Sequence, residues 1–180
     1  NIFRDKETQI HAKKQIKLSS KFSINTDFIK YGTKIDYGTE IYNQFFNTEN
    51  KKNNNKYVNS NYYRAFPIFG LKTETPFKLK KNYKNMTYTP KLSIILTPGI
   101  SNTEKISNED SSINSYTIEN NEDYNRFVGS DKLDNSKRIN ASFSISNEKF
   151  NSTISSTYEF TKNSNYHYSQ GNDKNLSDIL

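Results

Sequence analysis

The chain has 180 residues, a net charge of +7, no cysteine, and a mean hydropathy of −0.97 with only 32% hydrophobic residues. That is too polar for an ordinary soluble globule of this length, while 14% aromatics is too many for a disordered chain. What remains is a β protein in which only alternate residues need be apolar, either an elongated soluble one or a transmembrane barrel, and the missing cysteines exclude a disulfide framework or a thiolate metal site within these residues.

Residues 1–13 are polar and show no apolar signal-peptide core, and the chain does not begin with Met, so it reads as an internal piece of a longer protein. No apolar run approaches the ~18 residues of a membrane helix. From Gln15 the pattern turns binary. Ile16, Leu18, Phe22 and Ile24 alternate with Lys17, Ser19, Lys21 and Ser23, the period of a half-buried strand. Asn25-Thr26-Asp27 reads as a short turn. Ile29, Tyr31, Thr33, Ile35, Tyr37, Thr39 and Ile41 then form one face of a long strand, against Lys30, Gly32, Lys34, Asp36, Gly38 and Glu40. A spanning barrel strand needs about 9–11 residues, so this one projects beyond a bilayer.

The Asn- and Lys-rich stretch 46–56 reads as a long loop. Strand character resumes at Tyr57 and runs to Leu79, apolar on both faces between Tyr62 and Leu71, with Pro67 marking an edge, a bulge or a strand end. A short turn covers 80–86, and Tyr88, Pro90, Leu92, Ile94 and Leu96 alternate up to Pro98-Gly99. A long polar excursion fills 99–135. Ile139, Ala141, Phe143 and Ile145 form the next strand, Asn147-Glu148-Lys149 a tight turn, and Phe150, Ile154, Tyr158 and Phe160 the last strand. The stretch 163–175 is again long and polar. Short and long connections alternate, as short periplasmic turns and long extracellular loops do in outer-membrane barrels. Tyr31, Tyr37, Tyr42, Tyr63, Tyr88 and Tyr158 are candidates for interfacial girdles, with ordinary cross-strand aromatic packing the alternative. In a barrel Lys17, Lys21, Lys30, Lys34, Asp36, Glu40, Lys72, Glu74, Lys78 and Lys91 would face a polar lumen.

Little points to chemistry. His11 and His167 stand at opposite ends of the chain without ligand spacing. No phosphate-cradling glycine loop or nucleophile elbow occurs, and the basic balance comes without a basic helix or an aromatic RNA-binding motif. The expectation is no enzyme, no cofactor, no metal and no nucleic acid.

The informative stretch lies in the long excursion: Asn108, Glu109, Asp110 and Ser111, then Asn125, Arg126, Phe127, Gly129 and Asp131, then Arg138. Excursions of this length are usually either functional or disordered. Gly129 permits a tight bend, Phe127 can anchor the segment, and Arg126 has Glu109, Asp110 and Asp131 as carboxylate partners to choose from. The other reading is a solvated loop of scattered charge.

This pattern, Asn-Glu-Asp-Ser followed by Asn-Arg-Phe-x-Gly-x-Asp and an Arg, resembles the barrel domain of the LptD family of lipopolysaccharide-assembly proteins. Arg64-Ala65-Phe66-Pro67, Thr75-Pro76-Phe77 and the stretch from Pro90 to Gly99 fit as well, so the resemblance covers roughly Tyr62 to Phe160. Two departures stand out: Glu122-Asp123-Tyr124 where the family often has Leu-Phe, and Asp134-Asn135-Ser136-Lys137 where a Gly-rich stretch is usual. The resemblance implies an all-β fold, a partial antiparallel transmembrane barrel domain over residues 1–180 with about six meandering strands. It implies an outer-membrane location, lipopolysaccharide as cargo, an LptE-like plug lipoprotein in the lumen, outer-membrane lipid around the wall, and a periplasmic transport bridge contacted through an N-terminal domain outside this segment. The motif loop would pack against the lumen or the plug. Another outer-membrane barrel, a porin or receptor, and a surface adhesin-like β module are the rival readings.

Overall fold

The computed structural model describes residues 13–53, 56–79, 85–98, 106, 108, 110–113 and 118–160. Among them the chain builds β1 (Lys14–Lys30), β2 (Thr33–Asn53), β3 (Lys56–Glu74), β4 (Phe77–Lys78), β5 (Thr87–Leu96), β6 (Ser112–Ile113), α1 (Ile118–Asn121), β7 (Phe127–Val128), β8 (Lys137–Ser146) and β9 (Asn151–Glu159). The main path of the sheet runs β1-β2-β3-β5-β8-β9, with β4 also on β5, and all described pairings are antiparallel. The expected all-β meander of about six strands is what forms, as an open sheet.

The alternation sets the two faces. Ile16, Leu18, Phe22 and Ile24 on β1, Phe45 on β2, Phe69 and Leu71 on β3, Leu92 and Leu96 on β5, and Ile154 and Tyr158 on β9 are all exposed on one face. The opposite face carries Lys17, Gln44, Arg64, Ser93, Asn140 and Thr157, and it is covered by the segment between β5 and β8. Phe66, Ile68 and Ile95 are exceptions to its polarity. They meet Leu133 of the covering segment in a small buried core with Tyr42 and Tyr124. That packing explains why Tyr62–Leu71 is apolar on both sides.

Several expectations are corrected. Asn25-Thr26-Asp27 is not a turn: β1 runs through it, and the chain reverses at Tyr31–Gly32, both with positive φ (52° and 79°), the conformation of a two-residue hairpin turn. The unbroken even-numbered alternation of β1 outweighed the local Asn/Asp signal. Because the hairpin splits the long Ile29–Ile41 strand, Lys30 pairs with Thr33 and falls on the exposed-apolar face rather than with the other lysines. Likewise 46–56 is not a long loop. β2 and β3 extend into it with a bulge between Thr48 and Lys51, and Asn47 Nδ2 donates to Asn61 Oδ1 at 2.7 Å. Strands with water on their faces need no apolar residue when side-chain amides stitch them together. Finally Tyr42 is no girdle candidate, since it is buried on the covered face and donates to Glu40 Oε2 at 2.8 Å.

Pro67 sits inside β3 opposite Ile41, while β3 pairs with β5 only over Phe69–Glu74, so among the described pairings the missing N–H falls where β3 has one neighbour. The Asn147–Lys149 turn forms as expected, closed by Asn147 N–H to the Phe150 carbonyl at 2.8 Å. The turn over 80–86 is only partly within the described residues, and the polar stretch 163–175 lies outside them.

Candidate functional site

The excursion between β5 and β8 is a strap. It reaches side chains of β1, β2, β3, β8 and β9, and Leu133 joins the buried core that includes Ile95 of β5. Its own ladder is the two-residue ribbon of β6 on β7, and α1 is a single turn.

The root of the strap is a buried charge cluster. Arg126 Nε lies 2.5 Å from Asp134 Oδ2, and its Nη2 lies 2.5 Å from Glu159 Oε1 of β9. Arg138 Nη1 reaches the same Asp134 oxygen at 2.9 Å, and Arg138 also donates to the Asp123 carbonyl. Ser136 Oγ donates to Glu159 Oε2 at 2.7 Å. Two guanidinium and two carboxylate groups, each at most 1% exposed, leave the cluster formally neutral. Buried ions persist only when paired and hydrogen-bonded like this. Arg126 thus pairs with Asp134 and Glu159, and not with the expected Asp110 or Asp131. Asp110 and Asp131 point to the other end of the strap. Glu109, the third expected partner, lies outside the described residues.

Beside the root, Asn121 of α1 is wholly buried. Its Nδ2 donates to Ser155 Oγ at 3.0 Å, its Oδ1 accepts from Thr157 at 2.5 Å, and its carbonyl accepts from Asn140 Nδ2 at 2.7 Å. Asn140 in turn reaches Ser93 Oγ at 2.9 Å, so one polar network joins α1 to β5, β8 and β9.

The tip of the strap is built from the remaining motif residues. Asn108 and Ser111 close a local turn: the Ser111 N–H donates to Asn108 Oδ1 at 3.0 Å, and Asn108 Nδ2 donates to the Ser111 carbonyl at 2.7 Å. Asp110 Oδ1 accepts from the N–H groups of Ser130 and Asp131 at 3.1 and 2.8 Å, while Asp131 Oδ2 accepts from the Asp110 N–H at 3.0 Å. Gly129 has φ +85°, and a Cβ there would stand 2.2 Å from the Asp110 carbonyl oxygen, so only glycine lets the two halves of the tip close. Asn125 Oδ1 accepts from the Asp134 N–H at 2.9 Å, and Phe127 is 4% exposed, the anchor expected of it.

The tip docks on three strands. Lys17 Nζ lies 2.7 Å from Asp110 Oδ2, Ser130 Oγ and Asp131 Oδ1. Gln44 Nε2 donates to the Ser130 carbonyl at 2.8 Å, and Arg64 Nη2 to the Ser130 and Asp131 carbonyls at 3.1 and 2.9 Å. Burial pushes the Asp110 carboxyl up, but the Lys17 ammonium, the Asp131 N–H, the Ser111 hydroxyl and the Ser130 N–H outweigh it and hold Asp110 well below the usual carboxylate range. A carboxyl lowered by folding stabilises the docked strap above its unfolded value of 3.8, and the contribution fades as pH falls below that toward the folded value. A probe on Val128 is therefore expected to report a docked tip at about pH 5 and progressive release below about pH 4, with the acid step diminished in Asp110→Asn. An unchanged acid profile in that variant would remove Asp110 from the clamp.

Residues of the motif are thus brought together at both ends of one strap, but the partners were missed: Lys17, Gln44, Arg64, Asn121, Tyr124, Asp134 and Glu159. Tyr124 and Asp134 stand in the stretches that depart from the family pattern. Tyr124 lies over the glycines Gly38 and Gly70 and under Lys72 Nζ, 5.3 Å from the ring centre. Glycines on one face of a strand signal a close approach, and that signal was available in the sequence. Farther along the covered face a cavity of about 210 Å³ is lined by Lys34, Asp36, Lys72, Glu74, Lys91 and Glu122. Among the described residues no group of three His, Cys, Asp or Glu side chains is placed to hold a metal ion. His11 and His167 lie outside them.

Against known families, the model of LptD, described as LPS transport system D, matches residues 3–180. No curated protein matches.

Proposed function

We propose that this chain, which belongs to the LptD family, is a wall segment of an outer-membrane β-barrel that delivers lipopolysaccharide to the outer leaflet. The family is one of lipopolysaccharide transport and assembly, not of enzymes. The observation that carries the barrel-wall reading is the contrast between the two faces. One presents Leu18, Phe22, Ile24, Leu71, Leu92 and Ile154 to the surroundings, and the other buries charged and amide side chains under the strap. Hydrocarbon suits the first face and a polar lumen the second. β5, β8 and β9, at 10, 10 and 9 residues, have the length that spans a bilayer, whereas β2 and β3, at 21 and 19, extend beyond it. Among the described residues the outer edges of β1 and β9 have no neighbour. On this reading they pair with further strands of the barrel, since an open edge does not survive in lipid.

The test is Leu92→Arg in the full-length protein. At the bilayer midplane an outward Arg costs roughly 2–4 kcal/mol, so the folded, heat-modifiable form is expected to fall sharply in outer membranes. Lys91→Leu, on the covered face, is the matched control and is expected to assemble. Equal assembly of Leu92→Arg and the parent would refute a lipid-facing wall.

The strap supports a second part of the proposal. It occupies the lumen side, and the charged cavity beyond Tyr124 faces a plug lipoprotein seated against it. Lipopolysaccharide arrives from a periplasmic bridge through parts of the protein outside this segment. Replacing Arg126 and Phe127 together with Ala is expected to lower plug recovery in copurification from membranes. Full plug retention with normal barrel yield would leave the strap without a bracing role.

A further inference from the structure

Among the described residues the hydrogen bonds between the strap tip and β1–β3 run one way. Lys17, Gln44 and Arg64 donate, and the tip supplies only oxygens: two carboxylates, a hydroxyl and two carbonyls. On the strand side this is a cationic pocket lined by an ammonium, a guanidinium and an amide, floored by the Phe46 ring, 5.9 Å from Lys17 Nζ and 5.7 Å from the Arg64 guanidinium carbon. Such a donor set is the usual one for a phosphate or carboxylate. The geometry points to an anion site on the wall, held closed by Asp110 and Asp131 as an internal stand-in for a phosphate-bearing ligand. This inference rests on the covered face being the lumen lining, because an incoming anion must reach it from there.

The two ends of the strap are built differently enough for one to let go alone. At the root Arg126, Arg138, Asp134 and Glu159 are sealed from water. At the tip Gln44, Arg64 and Asp131 are buried too, but the Lys17 and Asp110 side chains are 20% and 43% exposed, so water reaches the Lys17–Asp110 pair. Arg126 and Asp134 also bracket residues 127–133, and their 2.5 Å ion pair pins the base of that segment. Asp110 is held to the segment by its own hydrogen bonds to Ser130 and Asp131, so the tip moves as a unit when Lys17 and Arg64 release it. Gly129, at φ +85°, gives the segment its bend. A competing anion with more than one oxygen satisfies Lys17, Gln44 and Arg64 together, and the displaced Asp110 and Asp131 carboxylates and Ser130 and Asp131 carbonyls return to water.

The experiment uses the full-length protein with its plug lipoprotein in neutral detergent, carrying an environment-sensitive fluorophore at Val128→Cys. Inorganic phosphate, chloride at matched ionic strength, and micelles of a phosphorylated or a dephosphorylated glycolipid are titrated in turn. Saturable tip release by phosphate means that the free anion suffices. Release only by the phosphorylated glycolipid assigns the site to a lipid headgroup. In either case Asp110→Asn, which weakens the internal occupant, is expected to lower the midpoint about ten-fold. In equilibrium dialysis, Lys17→Gln is expected to lose bound phosphate or phosphorylated glycolipid. Release that merely follows ionic strength, no release by any titrant, or an unchanged midpoint in Asp110→Asn overturns the inference. Should Asp110→Asn fail to migrate as a folded barrel, Ser130→Ala removes one oxygen from Lys17 and shifts the midpoint in the same direction. A parent protein that folds and inserts but never releases its tip sinks this inference and leaves the barrel reading standing.

Discussion

Asp134→Ala is expected to destabilise the folded protein by about 3–5 kcal/mol, the usual cost of stripping one partner from a buried ion cluster. Asp134 is the carboxylate shared by both guanidinium groups, 2.5 Å from Arg126 and 2.9 Å from Arg138, all of them fully buried. Without it the two guanidinium groups keep Glu159 as their one carboxylate among the described residues of a water-excluded cluster. Denaturant unfolding in detergent, followed by gel mobility, measures the loss. Adding Arg138→Met should return part of it, because the two sites couple by about 0.5–3 kcal/mol in contact geometry. Strict additivity of the two changes would mean that the cluster does not act as a unit.

The second large effect is expected at the glycine rung. Gly38 and Gly70 are opposite each other on β2 and β3. A Cβ on Gly70 would stand 2.0 Å from Tyr124 Cε1, and one on Gly38 would stand 2.6 Å from the Tyr124 hydroxyl and 2.0 Å from Asn25 Oδ1. Gly70→Val therefore evicts the Tyr124 ring from its seat and is expected to cost roughly 1–3 kcal/mol by overpacking. Burial, with Asp36 and Glu40 nearby, raises the Tyr124 phenol, so the ring also sits as a neutral body in an acidic setting. The diagnostic is compensation: Gly70→Val combined with Tyr124→Ala should be less damaging than the sum of the two. If Gly70→Val is as harmful in the Tyr124→Ala background, the clash lies elsewhere in the sheet.

Much of the fold was legible because period-two alternation is a local signal. The phase of Ile16 to Ile24, of Leu92 to Leu96 and of Ile154 to Tyr158 placed those residues on the face they occupy. Composition misled where it stood in for that phase, at Asn25–Asp27 and over 46–56, because Asn favours turns only when no ladder holds it. At the site, Phe127 and Gly129 were legible from their own chemistry. The ion partners were not: Glu159 is 33 positions from Arg126, and Asp131 is 114 from Lys17. Among carboxylates of equal charge, only the register of β8 against β9 selects Glu159. Asp134 stands outside the quoted motif residues and was not among the partners considered, yet it supplies the buried cluster with its shared anion.

The strap's span of contacts also dictates an order of events in folding. It leaves the chain after β5, yet its root needs Glu159 on β9 and its tip needs Lys17 on β1. A chain that has formed β1 to β5 has Lys17 and Arg64 ready, but Arg126 would enter the sheet without its second carboxylate. Desolvating it then is unfavourable, so the strap stays in water until β8 and β9 have paired. Closing contacts of such separation is slow, and little is returned before the last strand arrives. Strap docking is thus a late event that marks completion of this part of the wall, and a protease pulse during refolding should cut the strap after the strands have become resistant.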